Sequence, residues 1–365
     1  MLRKFPRPIK RIVIKLGSSV IATYSMQPRT AQLRSLVEQI SAVRKQGVDV
    51  ILVSSGAIVL GMGEMHLRTR PRDLASLQAL AAIGQAALMR NYLELFHKVD
   101  ARCGQVLLTW DDFDNRNRYN NARNTLLAMM DLGIVPIINE NDTISTEEIK
   151  FGDNDKLSAL VAGMIQADLL LILSDVEGLY DLNGLKSGEK KVLEEIKEIT
   201  GEIEGIALGT TKKQMSKGGM SAKIQAIKIA THANIPCVIA HGEKENVLSR
   251  VLHGERMGTF FVEKEDKVLA RKHWISFGAK PKGKLIVDDG AKHALLEGGR
   301  SLLLPGIVTW EGDFKVDDVV AVFDNDQQEI ARGITNYSVA DLHKIADKRG
   351  KREVIHRDDL VLCKR

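Results

Sequence analysis

Two lysines that lie far apart in the sequence occupy positions where an ammonium group requires an anionic partner. Lys15 interrupts the apolar run IVIKL two residues before Gly17. A lysine buried in such a strand is costly unless a carboxylate or a phosphate contacts it. Lys223 ends KGGMSAK, where a Gly-Gly pair precedes a predicted helix whose N-terminal amides favour phosphate. Each pattern alone also fits a strand end or an ordinary turn, but together they predict a phosphoryl-binding site.

The stretch from residue 138 to residue 156, INENDTISTEEIKFGDNDK, is crowded with acids and amides. It lacks the spacing of a calcium loop, so a metal held by protein ligands is not predicted. Two lysines near one phosphate repel each other, and a carboxylate between them, Asp155, would fix both and keep both charged. Asn139, Asp142 and Asn154 would then be available to a substrate ammonium group. An acidic loop beside an anion-binding site predicts a zwitterionic substrate.

Small polar turns follow two other predicted strands. Ser55-Gly56-Ala57 comes after VDVILV and offers a hydroxyl and backbone amides to a carboxylate or a phosphate. Ser174-Asp175 comes after DLLLILS. Turns of this kind are common between strands and helices, so they gain meaning only from their place in the fold.

The position of these turns in the fold can be predicted from the first two-thirds of the chain, where short apolar runs alternate with helical patterns. The runs are IVIKL, VDVILV, GQVLLT, IVPIIN, DLLLILS and PCVIAH. Continuous apolar strands separated by helices predict an α/β domain with an open, mainly parallel sheet sandwiched by helices. Ligands bind beyond the carboxyl ends of such strands, so the polar turns should meet at one edge of the sheet.

The pattern changes near residue 265, after which short strands and turn signals dominate. KLIVDDG, SLLLPGIVTWEG and VDDVVAVFDNDQQEIARGITNY predict a small, mostly β domain. We therefore predict a catalytic domain at 1–265, a linker at 266–280 and a second domain at 281–365. A chain of 365 residues exceeds the size at which single cores stop growing, which also favours two domains.

Composition and missing motifs exclude several classes of protein. A net charge of +5 gives little support to nucleic-acid binding, and the three cysteines, without a CxxC pair, argue against disulfides and zinc. No apolar run is long enough for a membrane helix, so a cytoplasmic protein is predicted. The chain has no GxxxxGK[ST] loop and no protein-kinase signature, so a nucleotide would bind through other loops.

A resemblance to a known family runs along nearly the whole chain. The motifs that carry it are VIKLGSS, VSSGA, NARNTL, IVPIINEND, KFGDNDKLSAL, LILSDVEGLY and KGGMSAK. In this order and spacing they resemble the glutamate 5-kinases of the amino-acid kinase superfamily, with INEND and GDND the most specific pair. The later KGKLIVDDGA, SLLLPGI and IARGITNYS resemble a PUA domain, a module named for RNA-modifying enzymes.

The resemblance implies an amino-acid kinase fold and ATP-dependent phosphorylation of the L-glutamate γ-carboxylate to L-glutamyl 5-phosphate, the first step of proline synthesis. It implies Mg²⁺ held mainly through ATP phosphates and water. It also implies proline as a feedback inhibitor and a homo-oligomeric assembly.

Site roles follow from the resemblance, position by position. The catalytic residues would be Lys15, Lys223 and Asp155. Those that bind glutamate would be Ser55, Gly56, Ala57, Asn139, Asp142 and Asn154. Those that bind ATP would be Lys15, Ser174, Asp175, Lys217, Gly218, Gly219, Met220, Ser221, Ala222 and Lys223. Lys217 and Ser174 stand where the family pattern has threonines, and Ser174 keeps the hydroxyl.

Two alternatives remain open on the sequence. The chain resembles sister kinases that act on acetylglutamate, aspartate or a uridine nucleotide, although the INEND and GDND loop argues against them. A different class of function is RNA-binding regulation through the small β domain, whose one basic cluster lies within residues 344–352. That cluster also fits a solvated helix end, so RNA is weakly supported.

Overall fold

The computed structural model describes residues 2–145, 154–181, 191–209, 219–263, 275, 279–345 and 353–363. They fall into two compact units, one of Met1–Trp110 with Asn120–Lys267 and one of Asp111–Tyr119 with Val268–Arg365. The proposed linker, 266–280, lies mostly outside the described residues. The domain limits drawn from the sequence therefore stay a prediction.

The described part of the first unit is built on one eight-stranded sheet with the order β3-β4-β2-β1-β5-β7-β8-β6. Neighbouring strands from β3 to β7 are parallel, whereas β8 is antiparallel to β7 and β6 is parallel to β8. The open, mainly parallel sheet predicted from the apolar runs is confirmed. The strands are β1 Arg11–Leu16, β2 Asp49–Ser54, β3 Arg102–Leu108, β4 Ile134–Glu140, β5 Leu169–Ser174, β6 Glu195–Ile196, β7 Cys237–His241 and β8 Thr259–Phe261.

Helices connect these strands and cover the sheet. α2 buries one apolar stripe, as an amphipathic helix against a sheet must, and Gly47, with φ of 85°, follows its end. The N-cap of α4 is Asp73, whose carboxylate accepts a hydrogen bond from Ser76 N. The helices of the first unit are α1 Ser18–Ile21, α2 Thr30–Lys45, α3 Ala57–Glu64, α4 Leu74–Lys98, most of α6 Arg116–Asp131, α7 Asn154–Met164, α8 Gly201–Gly209, α9 Met220–His232 and α10 Val247–Leu252. Helix α5, Asp111–Asp114, and the first residues of α6 are grouped with the second unit.

The two faces of β1 are covered by different helices. Ile12, Ile14 and Leu16 belong to one buried apolar cluster that includes side chains of α2 and α4. Side chains alternate along a strand, so Lys15 points to the opposite face. On that face α7 contacts β1 and β5, and α9 contacts α7. The strand period therefore aims Lys15 at the helices that carry Asp155 and Lys223.

Helices α3 and α4 pack with their backbones in direct contact. A Cβ atom added to Gly84 would lie 1.7 Å from the carbonyl oxygen of Ala57, and one added to Gly61 would lie 2.0 Å from that of Leu80. No side chain fits at either position. The glycines fix the distance between the two helices and so the position of Ala57, which begins α3 beside the end of β2.

The described part of the second unit contains a five-stranded sheet with the order β11-β9-β12-β13-β15 and a two-stranded sheet of β10 and β14. Leu285, Val287, Phe314 and Val320 lie in its separate apolar core. The small, mostly β domain is confirmed. Its elements are β9 Gly283–Val287, α11 Asp289–Leu296, β10 Leu302–Leu303, β11 Ile307–Gly312, β12 Val319–Phe323, β13 Glu329–Ile334, α12 Val339–Ile345, β14 Glu353–Ile355 and β15 Leu360–Leu362.

A search of the described helices for one that combines the length and the apolar character needed to cross a membrane finds none.

The contact between α3 and α4 predicts a large effect of a single methyl group. We expect Gly84→Ala to lower the free energy of unfolding by about 1–3 kcal/mol or more, because the new Cβ collides with backbone that cannot rotate away. Urea denaturation monitored by circular dichroism measures this change.

Gly205→Ala is the matched control, because Gly205 lies inside α8 and a Cβ there meets no atom of the described residues within 4 Å. It should leave stability unchanged or raise it by about 0.5–1 kcal/mol, the usual helix preference for alanine. Equal effects of the two substitutions would contradict the packing argument.

Candidate active site

A cavity of about 280 Å³ opens at the carboxyl ends of β1, β2, β4 and β5. This size is near the lower end of the roughly 300–1,000 Å³ typical of small-molecule sites. The turns after these four strands meet here, as the parallel sheet requires. The cavity is lined by Lys15, Gly17, Ser18, Ser19, Ser55, Gly56, Ala57, Ile58, Val59, Arg70, Asn139, Glu140, Asp142, Asn154, Ser174 and Lys223.

The two lysines meet at one buried carboxylate. Lys15 Nζ lies 2.6 Å from Asp155 Oδ1, and Lys223 Nζ lies 3.1 Å from Asp155 Oδ2. The side chains of Lys15, Asp155 and Lys223 are 7%, 1% and 6% exposed, respectively. The arrangement expected from the sequence, with a carboxylate bridging two distant lysines, is present in the structure.

The Asp155 carboxylate is held in its ionised form. Burial opposes the charge, but the ammonium groups of Lys15 and Lys223 outweigh burial and hold the pKa of Asp155 below its ordinary value. The three side chains therefore carry a net charge of +1. Lys15 and Lys223 both line the cavity, where their ammonium groups can attract an anion such as a carboxylate or a phosphoryl oxygen.

The amides of Asn154 and Asn139 join the turns that line the other part of the cavity. Asn154 Nδ2 donates to Ser55 Oγ at 3.1 Å and to Asn139 Oδ1 at 3.0 Å. Asn139 Nδ2 donates to Gln85 Oε1 at 2.8 Å, which ties it to α4. Within the described residues Asn154 Oδ1 is buried and accepts no hydrogen bond. An acceptor in that state favours a donor from a bound molecule.

Two carboxylates, Glu140 and Asp142, line the same part of the cavity. Burial, with a further contribution from the charge of Glu140, raises the pKa of Asp142 to about 7, and the charge of Arg70 opposes the rise. Glu140 is 8% exposed and accepts a hydrogen bond from Ser145 Oγ at 2.6 Å. This end of the cavity is acidic, whereas the end with the two lysines is basic.

The turn after β2 is held from behind and shaped by glycine. Tyr92 Oη and Ser54 Oγ are 2.9 Å apart in the core, and burial raises the pKa of the Tyr92 phenol, which therefore stays neutral. Gly56 adopts a φ of 100°, and a Cβ on it would lie 2.9 Å from Ile21 Cγ2. Only glycine fits this position, which lets the backbone of the turn face the cavity.

The residues expected to bind ATP are only partly gathered at this cavity. Lys15, Lys223 and Ser174 line it, and Ser174 Oγ donates to Asp175 Oδ1 at 3.0 Å. Gly219 is the N-cap of α9, and Met220, Ser221 and Ala222 form its first turn without lining the cavity. Lys217 and Gly218 lie outside the described residues.

The donor set fits a nucleotide with Mg²⁺. Two ammonium groups and the small Gly17-Ser18-Ser19 turn can face phosphate oxygens. The carboxylate of Asp175, exposed at the end of β5, is the kind of single protein ligand that Mg²⁺ uses when phosphates and waters complete its shell. Among the described residues no group of three acids, histidines or cysteines could hold a metal by itself.

Seven lining residues are not among the site residues predicted from the sequence, namely Gly17, Ser18, Ser19, Ile58, Val59, Arg70 and Glu140. Ile58 and Val59 directly follow the predicted Ser55-Gly56-Ala57 turn, and Glu140 lies between predicted Asn139 and Asp142. A prediction that covered every residue of each turn after a strand would have included these residues. Arg70 follows no strand, and the sequence gives no signal that brings it to the site.

The models of two known families match the chain. The amino acid kinase family matches residues 10–241, and the PUA domain matches residues 283–357. Both matches confirm the resemblance that the motifs indicated.

Full-length relatives narrow the assignment further. The glutamate 5-kinase of Dictyoglomus turgidum is 45% identical over 368 residues, with 98% of each chain covered. That of Thermoanaerobacter sp. (strain X514) is 42% identical over 366 residues, which cover 97% of this chain and 98% of the relative. That of Carboxydothermus hydrogenoformans is 42% identical over 377 residues, which cover 99% and 100%. The chain therefore belongs to the amino acid kinase family, within its glutamate 5-kinase group.

Proposed function

We propose that the chain transfers the γ-phosphoryl group of ATP to the γ-carboxylate of L-glutamate, giving L-glutamyl 5-phosphate, the first step of proline synthesis. The observation that carries this proposal is the buried Lys15–Asp155–Lys223 cluster next to an acidic pocket. The full-length likeness to glutamate 5-kinases supports the same substrate.

The reaction needs charge stabilisation more than proton transfer. A γ-carboxyl group titrates near pH ~4.3, so it is already an anionic nucleophile at neutral pH and requires no general base. The difficulty is that two anions must approach each other. Lys15 and Lys223 offset that repulsion and stabilise the charge on the transferring phosphoryl group.

Asp155 acts by positioning the two lysines. Without it, the ammonium groups would repel each other and would lose their fixed orientation toward the reacting oxygens. Mg²⁺, when bound, supplies charge neutralisation at the phosphate oxygens. Asp175, Ser174 and residues 217–223 would hold the nucleotide.

The acidic end of the cavity matches the α-ammonium group of glutamate. Asp142 provides a carboxylate, and Asn154 provides the buried Oδ1 that accepts no hydrogen bond within the described residues. Asn139 and the Ser55-Gly56-Ala57 turn complete the proposed glutamate site. An acetylated amino group carries no charge and has no need of such a carboxylate, so the acidic end favours glutamate over acetylglutamate.

Proline inhibition and a homo-oligomeric assembly remain predictions from the resemblance, and a cytoplasmic location remains a prediction from composition and sequence pattern. RNA binding by the PUA domain stays a weaker prediction than a kinase function.

The acceptor is tested by measuring ATP turnover with L-glutamate, N-acetylglutamate and aspartate in turn. We expect turnover with glutamate and little with the other two, because only glutamate combines the ammonium group with the right distance to the γ-carboxylate. Turnover with N-acetylglutamate but not with glutamate would contradict the proposal.

Removal of the Asp155 carboxylate and removal of Lys223 should both lower activity but should differ in their effect on stability. Lys223→Met should lower kcat by at least about 100-fold, because a donor to the transferring group is lost. It should change the unfolding midpoint little, since Asp155 stays paired with Lys15. Asp155→Asn should lower kcat too and destabilise the fold by roughly 3–5 kcal/mol, because two buried ammonium groups lose their counter-charge.

Steady-state kinetics and thermal unfolding of the two variants distinguish these outcomes. If Asp155→Asn unfolded at the same temperature as the unsubstituted protein, the carboxylate would not be what holds the two lysines in place.

Binding of glutamate should depend on pH through Asp142. Its carboxyl group is charged above its pKa of about 7 and neutral below it, so the attraction for the ammonium group is lost as the pH falls. We expect kcat/KM for glutamate to fall by about tenfold for each pH unit below that value. The substrate's own γ-carboxyl group titrates near ~4.3, well outside this range.

Asp142→Asn is the control, and it should give a low kcat/KM that is independent of pH in the same range. An unchanged pH profile in this variant would assign the titration to another group.

A further inference from the structure

The charges of glutamate and the charges around the cavity do not match unless one more residue takes part. Glutamate carries a γ-carboxylate, an α-ammonium and an α-carboxylate. Lys15 and Lys223 suit the first, and Asp142 suits the second. Glu140 and Asp142 would repel the third, since both acids line the end of the cavity where the α-carbon would lie.

Among the described residues that line the cavity, Arg70 is the one cation besides the two lysines. It lies on the loop of residues 65–73 between α3 and α4, at the acidic end. Arg70 is exposed, like most of this loop. Partial desolvation lowers the pKa of its guanidinium, and the charge of Asp142 opposes that change. Arg70 and Asp142 line the same cavity, where their charges act on each other.

Chemistry favours an arginine for this task. The guanidinium is planar and always charged, and it presents paired N–H donors that match the two oxygens of a carboxylate. The donors of Arg70 are not used by a hydrogen bond or an ion pair within the described part of the chain. A neighbouring arginine and aspartate together complement the carboxylate and ammonium groups on one α-carbon.

We propose that Arg70 binds the α-carboxylate of the acceptor and so selects α-amino acids over simple amines that carry a carboxylate. The inference rests on the proposed function, because it assigns one more contact in the same site. Arg70 is then a specificity residue, whereas Lys15, Asp155 and Lys223 serve the phosphoryl transfer.

The test compares two acceptors in the full-length chain. L-Glutamate carries the α-carboxylate, and 4-aminobutyrate lacks it while keeping the ammonium group and the reacting carboxylate. We expect Arg70→Gln to raise the KM for glutamate by roughly ten- to hundredfold, the usual effect of losing a hydrogen bond between charged groups. We expect kcat for glutamate and kcat/KM for 4-aminobutyrate to stay close to their unsubstituted values.

The assays are run well above pH 7, so that Asp142, with its pKa of about 7, is ionised with and without Arg70. Arg72→Gln is the matched control, because Arg72 is exposed on the same loop and does not line the cavity. Arg72→Gln should leave KM and kcat unchanged for both acceptors. Glutarate, which has both carboxylates and no ammonium group, should lose affinity in Arg70→Gln as glutamate does.

The possible results distinguish a failure of the proposed function from a failure of the role assigned to Arg70. If the unsubstituted protein turned over no glutamate, the proposed function would fall, and this assignment with it. If it turned over glutamate and Arg70→Gln left the glutamate KM unchanged, only the role of Arg70 would be overturned. Equal losses for glutamate and 4-aminobutyrate would show that Arg70 only supports Asp142, and would also overturn it.

Discussion

One buried carboxylate, that of Asp155, determines how the rest of the catalytic centre is built. Two ammonium groups in an apolar setting are unstable unless an anion lies between them, and Asp155 contacts both. The contact between Asp155 and Lys15 requires that the Lys15 side chain lie on the face of β1 opposite α2 and α4, as the alternation of side chains along the strand provides. It also requires that α7 and α9 pack together so that their first turns meet at β1. The sheet and the helix packing are therefore both needed to pair the two lysines with Asp155.

The cavity separates two tasks by charge. At one end the charges are fixed, because Asp155 is ionised and surrounded by cations. At the other end the pKa of Asp142 is raised to about 7, because burial and then the charge of Glu140 oppose its ionised form. A substrate ammonium group would favour the charged form of Asp142 and so release a proton on binding when the pH is near that pKa. The end that carries out phosphoryl transfer is therefore charged before the substrate binds, whereas Asp142 at the other end becomes fully charged when the substrate ammonium group binds.

Sequence reasoning reached the parts of the site that obey simple rules. Lys15 was identified because a lysine within an apolar strand is costly, and Asp155 because two lysines require a counter-charge. The parallel sheet was identified from continuous apolar runs, and its carboxyl ends then located the polar turns. Arg70 could not be found in this way, because a loop between two helices has no periodicity and its end point depends on tertiary packing. The grouping of Asp111–Tyr119 with the second unit has the same cause.

The contact of α3 with α4 through Gly61 and Gly84 has a consequence for how such a protein can change during evolution. The two helices form a rigid frame, and the loop of residues 65–73 that joins them is anchored at both ends. If Arg70 has the proposed role, mutations in that loop would alter the choice of acceptor and leave the residues of phosphoryl transfer unchanged. A new specificity could therefore arise by exchanging a few surface residues, without rebuilding the catalytic machinery or weakening the core.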